Sequence, residues 1–99
     1  MDKIVILFTM KGCPWCDLMK TKLKEEKIKF INRDIDKHTE EYELFKKATQ
    51  NDFIPAFMII ENPDADPKSH LFAPDRDFQD IDHGVSIIKE HLDRKSTRL

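Results

Sequence analysis

No stretch of this chain approaches the roughly 20 apolar residues that a membrane-spanning helix needs. The opening, MDKIVILF, carries an apolar run too short for a secretory signal core, and no small-residue cleavage site follows it. The expected location is the cytosol. Charge of one sign is lacking too: 17 basic residues face 19 acidic ones, for a formal net charge of -2. No strong field results, so neither nucleic acid nor a membrane surface is an expected partner. Lys20, Lys22, Lys24, Lys27 and Lys29 do cluster, but Glu25 and Glu26 interrupt them, as on a solvated helix face. There is no internal repeat, low-complexity tract or linker. The 99 residues suit one domain, expected over residues 1–94 with a frayed tail at 95–99. Cysteine is scarce, with only Cys13 and Cys16. In a reducing compartment such a pair is more often catalytic or metal-binding than a structural staple. Two thiols are too few for a closed four-ligand metal site, and His38, His70, His83 and His91 show no metal spacing near them. No metal is expected, and His83 and His91 are read as solvent-facing.

What is present is a strongly patterned chain. Ile4 to Phe8 is an unbroken apolar run rich in β-branched residues, which predicts a central strand covered on both faces. Thr9 to Gly12 breaks the pattern, and Pro14 suits the first turn of a helix, where its missing N–H costs nothing. A helix from Pro14 to Glu26 would bury Leu18, Met19 and Leu23. Ile28 to Ile31 reads as a second strand, with Asn32 to Asp36 as its exit. Asp36 or Thr39 is expected to cap a second helix, with Glu40 and Glu41 in its first turn and Tyr42, Phe45 and Ala48 on its inner face. Ala56 to Ile60 reads as a third strand, Glu61 to Lys68 as an exposed hairpin loop and His70 to Phe72 as a fourth strand. Pro74 to Asp77 would open a last helix with a stripe of Phe78, Ile81, Val85, Ile88 and Leu92, weakened somewhat by Gly84. The order β-α-β-α-β-β-α predicts a right-handed parallel crossover followed by an antiparallel hairpin. The fold class is therefore α/β, a three-layer α/β/α sandwich around a four-stranded mixed sheet.

A Cys-x-x-Cys pair at a strand-to-helix junction has a specific chemical use. Cys13 would sit at the helix N-cap, where free backbone N–H groups and the positive dipole end favour an anion. A free thiol titrates near ~8.5, and such surroundings lower that value. Cys13 would be the exposed nucleophile. Cys16, one turn further in on the same face, would resolve the mixed disulfide that Cys13 makes. Trp15 is expected to be exposed, either flanking a substrate or packed in part against a neighbouring loop. Pro55 admits two readings. A cis Ile54–Pro55 bond would turn the Ile54 backbone outward for an extended peptide, or the proline merely starts a strand.

The run Lys11-Gly12-Cys13-Pro14-Trp15-Cys16-Asp17-Leu18-Met19-Lys20, with Ile54-Pro55 and the strand order, resembles a glutaredoxin over about Lys3 to Leu92. The resemblance implies a thioredoxin fold, Cys13 as nucleophile, Cys16 as resolving thiol and Pro55 in cis. It implies a monomer that uses glutathione as reductant and reduces protein disulfides or glutathione mixed disulfides, with ribonucleotide reductase a candidate client. It makes Lys11, Trp15, Ile54, Pro55, Asp75 and Asp77 candidate substrate-binding residues. The chain departs from the family's usual pattern in three places. Met10 stands where a Lys usually precedes the first Cys by three residues, with Lys11 one step late. Phe53-Ile54-Pro55 replaces Thr-Val-Pro. Phe72 to Asp77 lacks the Gly-Gly pair that usually precedes the Asp holding the glutathione amine. Asp75 or Asp77 keeps that acidic role or caps the last helix, and Arg76 meets a carboxylate or is simply exposed. These departures keep a thioredoxin-like donor recharged by a flavoprotein reductase in view. An iron–sulfur module, its cluster bridged between two chains with two glutathiones, is a further alternative. So is a binding protein without turnover, against which the intact Cys-Pro-Trp-Cys argues.

Overall fold

The computed structural model describes residues 3–93. Seven elements follow in the order β1 (Lys3–Thr9), α1 (Pro14–Glu25), β2 (Ile31–Asp34), α2 (Thr39–Thr49), β3 (Ala56–Glu61), β4 (Lys68–Phe72) and α3 (Ile81–Asp93). The strands form one sheet in the order β2-β1-β3-β4. β1 runs parallel to β2 and antiparallel to β3, and β4 returns antiparallel beside β3. Because side chains alternate across a strand, β1 feeds two cores. Val5 and Leu7 meet Met19 and Leu23 of α1 and Val85 and Ile88 of α3 on one face. Ile6 and Phe8 meet Tyr42 and Phe45 of α2 on the other. This double burial is why β1 reads as a continuous apolar run. The result is the expected three-layer α/β/α thioredoxin fold. Among the described residues, no helix is long and apolar enough to cross a membrane.

Several boundaries differ from expectation, each for a local reason. The second strand begins at Ile31, not Ile28. Lys27 adopts a left-handed φ of 60°, the Lys27 N–H donates to the Lys24 carbonyl, and the Ile28 N–H reaches back to the Leu23 carbonyl at 2.9 Å. That is a Schellman closure of α1 with lysine where glycine is usual. It spends residues 27–30 on a turn, and Ile28 and Phe30 pack on the α1–α3 core from outside the sheet. β2 is an edge strand, so the polar stretch taken for an exit serves as strand down to Asp34, with Thr9 donating to Asn32 Oδ1 at 2.7 Å.

In α1 the inner positions are Cys16, Met19 and Leu23, so Leu18 lies one step round the helix and is exposed. In α2 the inner positions are Tyr42, Phe45 and Thr49, and Ala48 is exposed. Neither Asp36 nor Thr39 caps α2. His38 stands at its N-cap without a side-chain capping bond, while Asp34 Oδ1 accepts from the Asp36 N–H in the preceding turn. α3 starts at Ile81, because residues 74–79 form a turn of their own in which Asp77 accepts from the Ala73 N–H at 2.8 Å. The cap of α3 is Asp80, whose Oδ1 accepts from the His83 N–H at 2.8 Å. His83 is exposed, but His91 is buried, its ring 5.2 Å from that of His70 and 5.3 Å edge-on to Phe72. The predicted tail at 95–99 lies outside the described residues.

Candidate active site

At the end of β1 the chain leaves the sheet through Thr9 and turns at Gly12, whose φ of 76° favours a residue without Cβ. Cys13 follows in extended conformation as the N-cap of α1, with Pro14 at the first helical position. The Cys13 sulfur accepts from the Cys16 N–H at 3.1 Å, so a backbone donor already points at it. The two cysteines are joined as a disulfide with a Cα separation of 5.2 Å. Cys13 therefore does not stand free in this oxidised form. It keeps 8% of its surface exposed, whereas Cys16 keeps 0%. The order of accessibility expected from the sequence holds, but the outer sulfur is less open than anticipated.

The sheet register brings the other parts of the site to the same end. Phe8 pairs with Ala56, so Ile54 and Pro55 lie alongside the exit of β1. Phe57 pairs with Phe72, so Ala73 and Pro74 lie across from Ala56 and Pro55. The Ile54–Pro55 bond is cis. Between these segments and α1 is a cleft of about 200 Å³ lined by Trp15, Ile54, Pro55, Pro74, Phe78 and Asp80, among others. Trp15, on the first turn of α1, is an open wall of the cleft, at 62% exposure. Asn51 ties two of the loops together. Its Nδ2 donates to the Pro74 carbonyl at 2.9 Å, and its Oδ1 accepts from the Phe53 N–H at 2.9 Å.

Trp15, Ile54 and Pro55 thus line one cleft. Lys11 is exposed on the turn before Cys13 and is not part of that lining. Asp75 is exposed with a left-handed φ of 66°, and its N–H is held by the Phe78 carbonyl. The Asp77 carboxylate is engaged within its own turn by the Ala73 N–H and by Arg76 at 3.1 Å. Neither caps α3, and neither lines the cleft. The acidic group that does is Asp80. Asn51, Pro74, Phe78 and Asp80 were not singled out from the sequence as residues of the site. Asp80 carries a readable signal, an N-cap residue just before the periodic stripe that begins at Ile81. Asn51 signals only its local turn to Phe53, since its other partner, Pro74, is brought to it by the fold. Among the described residues, no group of three or more His, Cys, Asp or Glu side chains is arranged to hold a metal ion.

Set against known proteins, residues 5–61 match the glutaredoxin family model. No curated protein matches the chain significantly. One solved structure, described as that of a malarial protein, superposes with a TM-score of 0.51 at 20% identity, covering 93% of this chain and 99% of that one. That likeness is one of fold. The matched stretch contains the cysteine pair and the cis proline. The wall formed by Pro74, Phe78 and Asp80 lies beyond it.

Proposed function

The chain belongs to the glutaredoxin family, and from that premise we propose that it is a dithiol thiol-disulfide oxidoreductase charged by glutathione, with protein disulfides and glutathione mixed disulfides as substrates. The observation that carries the reading is the Cys13–Cys16 disulfide at the N-terminus of α1, beside an open cleft.

In the reduced protein the Cys13 thiolate attacks one sulfur of a substrate disulfide. A mixed disulfide forms, and the other substrate sulfur leaves as a thiolate. Cys16, as thiolate, then attacks the Cys13 sulfur. The Cys13–Cys16 bond forms, the second substrate sulfur leaves, and both substrate thiolates take up protons from solvent. Two electrons have passed from the pair to the substrate. Two glutathiones return them, one joining Cys13 and the second displacing it as glutathione disulfide. The Cys16 N–H and the helix N-terminus favour negative charge on Cys13 in this cycle. Burial of Cys16 confines the first attack to Cys13.

The deciding experiment is reduction of a glutathione mixed disulfide by glutathione and glutathione reductase with this protein as catalyst. Cys13→Ser is expected to abolish turnover. Cys16→Ser is expected to keep it, while losing reduction of protein disulfides. Turnover by Cys13→Ser would sink the nucleophile assignment. A thioredoxin-like donor recharged by a flavoprotein reductase is the second reading, and the engagement of Asp77 within its own turn favours it. No mixed-disulfide turnover, with insulin disulfides still reduced from dithiothreitol, would select it.

A further inference from the structure

Large apolar side chains standing in water are few on this molecule. Met10, Trp15, Leu18, Ile31, Leu44 and Phe53 are those among the described residues. Singly scattered, such residues need no explanation. Three of them are not scattered. Met10, at 42% exposure, leaves the end of β1, Trp15, at 62%, follows Cys13 on α1, and Phe53, at 54%, precedes Ile54 and Pro55. The register of β1 with β3 brings these segments to one end of the sheet. The disulfide sits at that end, and so does the cleft walled by Trp15, Pro55 and Phe78.

The exposure of Phe53 is built in. Its backbone is held by Asn51, which is itself anchored to Pro74, so the ring is presented by a hydrogen-bonded loop. A rim ordered before any partner arrives loses less freedom on contact. The occupant follows from chemistry. The centre of the rim accepts only a disulfide or thiol. A small disulfide with charged, hydrated ends would leave Met10 and Phe53 uncovered, whereas an extended polypeptide reaches both sides of Cys13. No hydrogen bond is formed by the Ile54 backbone among the described residues, so that segment is open to a passing chain.

We infer that Met10, Trp15 and Phe53 form a specificity rim that selects polypeptide disulfides whose cysteine is flanked by aliphatic or aromatic residues. The inference rests on the oxidoreductase reading above and names the substrate that reading leaves open. The exchange steps are those already written, with the substrate sulfur belonging to a peptide cysteine.

The test uses two synthetic peptide disulfides of equal length and charge. They differ only in carrying leucine and phenylalanine, or two serines, beside the cysteine. The oxidised protein is first reduced with dithiothreitol, and transfer is followed under excess peptide. The wild-type second-order rate constant of transfer is expected to be about tenfold higher for the apolar peptide, the effect of covering roughly one apolar side chain. Phe53→Ser with Met10→Ser is expected to bring the ratio to within about twofold of unity. Leu44→Ser, 70% exposed on α2, serves as the control and should leave the ratio where it was. Because the readout is a ratio between two substrates, loss of folded protein cancels. Equal wild-type values for the two peptides, or a preference that survives the double substitution, would overturn the rim and leave the oxidoreductase standing. Reduction of neither peptide would remove that reading and the rim with it.

Discussion

Gly84 lies where α3 crosses α1, and a methyl group there would stand 2.9 Å from Met19 Cε and 3.1 Å from the Phe78 ring. From the sequence this glycine read only as a weak point in a helix. The structure gives it a use, because the two helices approach closely here: Met19 Cε ends a flexible side chain and can swing aside, but the Phe78 ring must give by a few tenths of an ångström. Gly84→Ala is therefore expected to destabilise the protein by about 1 kcal/mol. Overpacking of about 1–3 kcal/mol outweighs the helix propensity gained, about 1 kcal/mol. Chemical denaturation measures the difference, and a stabilised variant would show that Met19 and Phe78 give way freely. Phe78 also walls the cleft, so the same substitution should alter peptide turnover. The cysteine pair, by contrast, was fully legible. Its spacing and the following Pro14 placed it at a helix N-terminus, where the structure has it.

At the scale of elements, strands and helices buried on clear faces were readable and edge or capping features were not. β1 and β3 announced themselves by apolar runs. β2 did not, because an edge strand holding Asn32, Arg33 and Asp34 is defined by its pairing with β1 rather than by its composition. The Schellman turn at Lys27 and the left-handed Gln50 after α2 lack the glycine that would have signalled them. In the β3–β4 hairpin, Glu61 accepts a bond of 2.7 Å from the His70 ring and stands 3.5 Å from Lys3. The His70 bond, with the Lys3 charge behind it, holds the Glu61 carboxyl below its ordinary value of 4.5 against the opposing effect of burial. A lowered folded-state pKa stabilises the protein above the unfolded value and loses that stabilisation as pH falls through the folded one. Glu61→Gln is accordingly expected to cost less than about 1 kcal/mol near neutral pH. Denaturation curves should show the gap between variant and wild type closing as the pH drops below 4.5. A gap that stays constant into acid would mean the carboxylate charge is not what Glu61 contributes.

Across the whole molecule, stability and selectivity are assigned to different aromatic residues. Phe57 is fully buried, its ring 4.9 Å from Phe72 and 5.3 Å from Phe78, and joins the sheet to the floor beneath the cleft. Phe57→Ala is expected to cost about 3–5 kcal/mol, a large part of the ~5–15 kcal/mol that holds a domain together. Phe53→Ala should change stability by no more than about 0.5 kcal/mol. Thermal unfolding of the two variants side by side measures the contrast, and equal losses would mean the Phe53 loop belongs to the folded core. The overall sandwich was legible because burial on both faces gives β1 a continuous apolar run while burial on one face gives each helix a stripe. In the site, the cysteine pair, Trp15 and the Ile54–Pro55 bond were legible from motifs, and the facing wall was not. The loops that complete it meet through sheet register and through Asn51, and neither leaves a mark in the chain itself.

The hairpin register that sets Pro74 across from Pro55 has an evolutionary reading. The thiols and the cis proline fall within the stretch that matches the family model, while the opposite wall is written after residue 61. The thiols and the apolar side chains of Met10, Trp15 and Phe53 thus share one length of gene, and a second length supplies the facing wall. A lineage holding the first constant could still reshape the cleft by rewriting a single surface turn.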